Sequence, residues 1–171
     1  MSDVCLNVRL HSPARASTWC NSVVHEAPMT TATLQKFGYP GTVIEDGHRW
    51  AVLLRPAQVT LGSLVLVCKE PVQEFSSLSP EAFADLREIT GRLERSLRRA
   101  FAFDRINYLM LMMVDPDVHF HVIPRYAQER RFAETVFLDP SWPGQPDLSR
   151  LNYLDDATRE ALRKHLISNW K

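Results

Sequence analysis

The residues best suited to chemistry stand together in one short run, Asp117-Val118-His119-Phe120-His121-Val122-Ile123-Pro124-Arg125. Two imidazoles and a carboxylate alternate there with apolar residues. Near neutral pH an imidazole can serve as nucleophile, general base or metal ligand. Strict period-2 alternation reads as a half-buried β-strand. Asp117, His119 and His121 then line one open face, successive members roughly 6.5–7 Å apart. Val118, Phe120 and Val122 point to the core. Arg125 ends the run with a planar fork that suits phosphate oxygens or a carboxylate. Two chemistries fit this face. One is nucleophilic catalysis by a histidine whose second ring nitrogen is held by an acceptor. The other is a transition-metal site made of Asp117, His119 and His121.

The flanking sequence supplies elements that could hold such a strand. Glu45-Asp46-Gly47 between Thr42-Val43-Ile44 and His48–Leu54 predicts an antiparallel hairpin. Arg55-Pro56 ends it. Leu61–Cys68 is a near-continuous β-prone run, expected to be central in a sheet or buried on both faces. Ser79 is a helix N-cap and Pro80 suits the first helical turn. Phe83, Leu86, Ile89, Leu93, Leu97 and Phe101 then form one apolar stripe, with acidic residues early and arginines late, as the helix dipole favours. Ile106–Val114 predicts a further strand, joined to the histidine strand by a short turn at Asp115-Pro116. Its methionines are core filling or a pliable pocket wall. Residues 126–154 read as loop-rich. A last helix is expected from Asp155 or Asp156 to Trp170, with Ala161, Leu162, Leu166, Ile167 and Trp170 on its apolar face. Residues 1–36 carry mixed signals: a short strand around Val4–Leu10, then a weak helix or packed loop. His11, His25, His48 and His165 read as structural or solvent-facing. The sum is an α+β domain: an antiparallel sheet of about five strands, one long helix packed on it and a C-terminal helix.

Bulk properties narrow the function. One domain over residues 1–171 is expected from the length. Lys plus Arg and Asp plus Glu are 20 each, so bulk charge offers no footprint for nucleic acid or an anionic membrane. No apolar run reaches the roughly 18 residues of a membrane span, and Met1–Cys5 does not read as a secretory signal. Cys5, Cys20 and Cys68 form neither a CxxC pair nor a disulfide framework, which points to a reducing cytoplasm.

Val118-His119-Phe120-His121-Val122-Ile123-Pro124-Arg125 resembles the signature of the histidine triad superfamily, in which three histidines alternate with apolar residues before apolar-Pro-Arg. The order of elements from about Thr42 to Arg125 is similar to a histidine triad domain throughout; residues 126–171 lie beyond it as an extension. Within the superfamily the chain looks most similar to the fragile-histidine-triad branch of dinucleoside polyphosphate hydrolases. Leu61–Cys68 resembles that branch's Pro-Gly-His strand, and Glu74–Leu86 the start of its long helix. The resemblance implies a nucleotidyl hydrolase or transferase acting on a phosphoanhydride or phosphoramidate. His119 would attack the α-phosphorus, and His121 would contact the phosphate or leaving group. It also implies a nucleotide substrate and a homodimer; no cofactor or metal is expected.

The chain departs from that pattern at defined places. Asp117 stands where the first triad histidine is usual, and its carboxylate could orient His119 or His121. Ser63 stands where the strand would carry another histidine. Arg55 lies near the place of a ribose-binding acidic or amide residue. The loop before the triad is expected to be very short, with Val114-Asp115-Pro116-Asp117 turning at once. Asp117, His119 and His121 are thus the candidate catalytic residues, and Ser63, Arg55 and Arg125 the candidate substrate contacts. Two other readings stay open: a catalytically weakened nucleotide-binding protein on the same fold, and the Asp-x-His-x-His metal site.

Overall fold

The structure is a computed structural model and describes residues 31–171. The expectations for the segment before Thr31, including His11, His25, Cys5 and Cys20, fall outside the described residues. Five strands form one antiparallel sheet: β1 (Val43–Asp46), β2 (Trp50–Leu54), β4 (Leu64–Cys68), β5 (Arg105–Leu109) and β6 (His119–Arg125). Their spatial order is β1-β2-β4-β6-β5. β2 and β4 are buried at every position, which is what their unbroken apolar runs require of inner strands.

The alternation of side chains divides the sheet into two faces, and each has its own apolar cluster. On one face Trp50, Val52, Leu54, Leu64, Leu66 and Val122 pack beneath helix α2 (Pro80–Phe101) and helix α3 (Asp156–Ser168). On the other, Ala51, Leu53, Val65 and Val67 pack beneath Leu34 and Phe37. Leu34 lies in a short helix, α1 (Ala32–Lys36), and Phe37 caps its C-terminal end.

Helix α2 begins as its sequence demands. The Ser79 hydroxyl accepts from the Ala82 amide at 3.0 Å, and the Glu70 carboxylate holds the Ser79 amide and hydroxyl. Trp50 on β2 donates its indole N–H to the Ala82 carbonyl at 2.8 Å, which pins the helix start to the sheet. Ile89, Leu93, Leu97 and Phe101 are buried, but Phe83 is exposed and packs its ring edge to face on Phe75, 5.2 Å away. Gly62 ends the turn before β4 with φ +80°; a Cβ there would stand 2.8 Å from the Phe101 ring, so only glycine lets the helix end approach.

Three expectations are corrected. The strand at Ile106–Val114 stops at Leu109, and residues 110–118 form a loop in which Met113 and Val114 are almost bare. The turn before the histidine strand is therefore a nine-residue connection between β5 and β6 rather than an immediate reversal. The segment after Arg125 is not only loop: it holds a small hairpin, β7 (Arg130–Phe132) with β8 (Thr135–Phe137). It also holds β9 (Asn152–Tyr153), which pairs with β3 (Ala57–Gln58). Helix α3 starts at the Asp155 cap and buries Leu162 and Leu166, while Ala161 and Ile167 stay exposed.

Candidate active site

The histidine strand is the fourth of the five and pairs with β4 on one side and β5 on the other. The register sets His119 opposite Val67 and His121 opposite Val65. Both imidazoles therefore rise from the face covered by α1. That face is not open. His119 is fully buried and His121 is 8% exposed. The Phe37 ring lies over both, 6.1 Å from His119 and 5.6 Å from His121 between ring centres. The two imidazoles stand edge to face at 5.1 Å.

His119 is held in one tautomer. Its Nδ1 lies 2.7 Å from the main-chain carbonyl of Asp117. A carbonyl oxygen only accepts, so Nδ1 carries the proton and donates it. Nε2 is left with its lone pair free. That atom is buried and has no hydrogen-bond partner among the described residues. His121 is also poised, in a different sense. Burial, then the charges of His119, Arg55 and Lys36, against an opposing contribution from Asp115, push its pKa down to about 4. It is neutral at pH 7, and its Nδ1 is buried with no partner among the described residues.

Asp117 and Val118 precede the strand, so the carboxylate does not join the two imidazoles on a shared strand face. Its Oδ2 accepts instead from the Thr33 amide at 3.1 Å, at the start of α1. Partial burial works to raise its pKa. Hydrogen bonds from Thr33 and Thr31 and the nearby His119 outweigh this and hold it below the ordinary carboxylate value. Asp117 therefore meets His119 through its main chain and α1 through its side chain. A second tie joins the same two elements: Lys36 Nζ bonds both oxygens of Asp115 at 2.6 and 2.8 Å. Among the described residues no group of three His, Cys, Asp or Glu side chains is placed to hold a metal ion.

The three expected substrate contacts fare differently. Arg55 follows the last residue of β2 on the histidine face, and its charge acts on His121. Its Nη1 donates to the Ala57 carbonyl, while Nε is buried without a partner among the described residues. Ser63 is spent on its own turn: its hydroxyl donates to the Thr60 carbonyl at 2.8 Å and accepts from the Thr60 amide at 3.1 Å. Arg125 is spent on the C-terminal extension. Its guanidinium makes a two-pronged pair with Asp139, at 2.6 and 3.0 Å, and Nη1 also donates to Asn107 and to the Gly144 carbonyl. It borders a groove of about 1050 Å³ between β5 and the Trp142–Pro146 loop, which does not include the histidines.

Five buried side-chain polar atoms lack a partner among the described residues. Four belong to this one region: Thr33 Oγ1, Arg55 Nε, His119 Nε2 and His121 Nδ1. Unsatisfied buried polar atoms are rare in folded proteins, and two of these, His119 Nε2 and His121 Nδ1, rise from one face of β6. Thr33, Phe37 and the Asp117 carbonyl were not singled out in the sequence. The Thr31 cap at the start of α1 was the one local signal available for that element.

An antiparallel sheet presenting paired imidazoles beneath a short helix defines a histidine-site α+β protein. The model of the HIT domain matches residues 39–128, just over half of the chain, and the chain belongs to that family. Solved structures agree on the fold. A histidine triad protein from Sinorhizobium meliloti 1021 superposes with a TM-score of 0.64 at 21% identity, over 80% of this chain and 93% of its own. One from Bradyrhizobium japonicum gives 0.61 at 20%, over 82% and 96%. A hypothetical histidine triad nucleotide-binding protein from Sulfolobus tokodaii gives 0.56 at 15%, over 75% and 82%. No curated protein sequence matches the chain. Among the described residues no helix is long and apolar enough to cross a membrane.

Proposed function

We propose that this protein is a nucleotidyl hydrolase or transferase that works through a covalent intermediate on His119. The observation that carries the reading is the state of that ring: the Asp117 carbonyl fixes the proton on Nδ1, and the Nε2 lone pair is buried and unspent. In the first step Nε2 attacks the α-phosphorus of the substrate. An N–P bond forms, the bond to the leaving group breaks, and the leaving group departs with that electron pair. As Nε2 becomes bonded, the ring gains positive charge, which the Asp117 carbonyl stabilises through Nδ1–H. In the second step the oxygen of water, or of another acceptor, bonds to phosphorus, the N–P bond breaks with its electron pair returning to Nε2, and the proton of the attacking hydroxyl is released to solvent. Neutral imidazole is both a fair nucleophile and a fair leaving group, so one hard displacement becomes two easier ones. His121, neutral at pH 7, keeps one ring N–H, which it can donate to a phosphoryl oxygen.

Membership of the HIT family supports a nucleotide as substrate. The likeness of Leu61–Cys68 and Glu74–Leu86 to the fragile-histidine-triad branch makes dinucleoside polyphosphates the substrates to try first. The same resemblance supports a homodimer, and the pattern of Cys5, Cys20 and Cys68 supports a cytoplasmic setting.

One observation favours a second reading, nucleotide binding without turnover. Asp117 and Ser63 add no further imidazole, and both side chains are already hydrogen-bonded elsewhere. Intact-protein mass spectrometry separates the two. The protein is incubated with diadenosine polyphosphates, adenosine 5′-phosphoramidate and their guanosine counterparts, beside His119→Ala. Covalent catalysis requires a transient adduct of one nucleotide that the variant lacks. Binding with no adduct and no product establishes the second reading, and turnover that survives His119→Ala rules out the first.

A further inference from the structure

We infer that helix α1 and Phe37 form a lid over the two imidazoles, latched by Asp115 and Asp117, and that His119 reacts only when this lid lifts. The lid rests on geometry alone; that a nucleotide enters beneath it rests on the reading above. His119 is fully buried. Aromatic rings whose centres lie about 5–7 Å apart are in contact, and the Phe37 ring is 6.1 Å from His119 and 5.6 Å from His121. In-line attack needs phosphorus within roughly 3.5 Å of Nε2. A phosphoryl group finds no room between groups already in contact, so part of the wall around His119 must move before the bond forms.

The wall's weakest piece is α1. β4 and β5 are hydrogen-bonded to β6 on either side and cannot yield without opening the sheet. Helix α1 has five residues, too few to hold a helix unaided. Two polar ties fasten it. The Thr33 amide donates to Asp117 Oδ2 at 3.1 Å, and Lys36 Nζ bonds both oxygens of Asp115 at 2.6 and 2.8 Å. Both carboxylates lie in the loop that leads into β6, and the charges of Lys36 and Asp115 act on His121, so the latch stands beside the imidazoles. The Lys36 side chain is 50% exposed, and water competes for that tie. Leu34 and Phe37 rest on Ala51, Leu53, Val65 and Val67, and this apolar floor makes the closed form the resting one. Closure is not free of cost. Thr33 Oγ1 on the lid and His119 Nε2 and His121 Nδ1 beneath it are buried with no partner among the described residues. Lifting the lid gives these three polar atoms access to water or to a ligand's phosphate, which offsets part of the lost apolar contact.

Site-resolved labelling of the full chain tests the lid without a nucleotide. The probe is diethyl pyrocarbonate, which acylates neutral imidazole, with each histidine read by peptide mass spectrometry. His48 is exposed and serves as the open reference. Cys68 is buried in the cluster on the other face of the sheet, so its reaction with a maleimide reports opening of the sheet as a whole. In wild type, His119 should label more than roughly ten-fold more slowly than His48, as its burial demands. Lys36→Ala should speed His119 labelling by up to about five-fold and Asp117→Ala by roughly ten-fold, with Cys68 unchanged. Joining Lys36→Cys to Asp115→Cys through a short bis-methanethiosulfonate bridge should stop His119 labelling, and reduction should restore it, with wild type treated alike as the control. The inference is overturned if His119 labels as fast as His48 in wild type. It is also overturned if His119 labelling rises only in step with Cys68, or if neither the latch variants nor the bridge change it. A diadenosine polyphosphate then separates the lid from the nucleotide reading. Labelling that follows the latch, with no nucleotide adduct in the unbridged protein, keeps the lid and removes that reading. An adduct on His119 that forms equally in the bridged protein removes the lid and keeps the reading.

Discussion

His121 should make the protein lose stability as pH falls from about 7 to about 4, and its replacement should remove that loss. The ring titrates at about 4 in the fold, against 6.5 for an ordinary histidine. Between those values the unfolded chain takes up a proton that the folded chain refuses. Stability therefore declines as pH drops through that window: it is whole above 6.5, and this contribution is gone below 4. The gap corresponds to about 3 kcal/mol. His121 is only 8% exposed, so solvent screens little of that energy. Depressed carboxylates such as Asp117 have the same proton balance but in a lower window, so their contribution is lost only as pH falls below roughly 4. The upper window thus belongs to His121. The measurement is urea denaturation at a series of pH values for wild type and His121→Gln. Wild type should lose about 3 kcal/mol more than the variant between roughly pH 7 and pH 4. Parallel curves, or a His121 imidazole resonance that titrates near 6.5, would refute the argument that burial keeps this ring neutral.

Two further outcomes follow from the side chains that the fold has committed. Arg125→Ala leaves Asp139, whose side chain is 2% exposed, as a buried charge without its partner. It should cost about 3–5 kcal/mol and lower Tm by about 10 °C, and a melt within a degree or two of wild type would show the pair to be unimportant. Asp117→Ala removes the acceptor of the Thr33 amide and should cost about 1–3 kcal/mol. The carbonyl that holds His119 stays in place, so the nucleotidyl adduct should still form; a folded variant with no adduct would show that the carboxylate itself acts on His119.

The parts of the fold that could be read in advance are those whose periodicity and caps agree. The Asp46-Gly47 hairpin, the inner strand at Leu64–Cys68 and the Ser79-Pro80 helix each carry a pattern that one element satisfies. The run Ile106–Val114 misled for the same reason. Its apolar residues continue past Leu109, but in the structure Met113 and Val114 are exposed and the chain has left the sheet. Composition does not say on which side of a strand end an apolar residue falls. Helix α1 has five residues and no apolar period, so nothing local announced that it would cover the histidines. Tyr153 reaches Ala57 across almost a hundred residues of sequence, through a two-residue pairing that no window can show.

The same limit explains why the histidines were found and their partners were not. An alternating His-x-His identifies the reactive groups because side-chain type is written in the sequence. The atom that determines the state of His119 is a main-chain carbonyl, which every residue at position 117 would provide. Asp117 drew attention through its carboxylate, yet that group serves α1, and the orienting contact depends only on where the backbone turns before β6. Arg125 and Arg55 show the converse. Both are arginines at strand ends on the same face, and their types cannot tell them apart. Asp139, supplied by the C-terminal extension, consumes one of them, while no described carboxylate reaches the other. Which charge a site keeps for its ligand is therefore decided by what the rest of the fold has already neutralised.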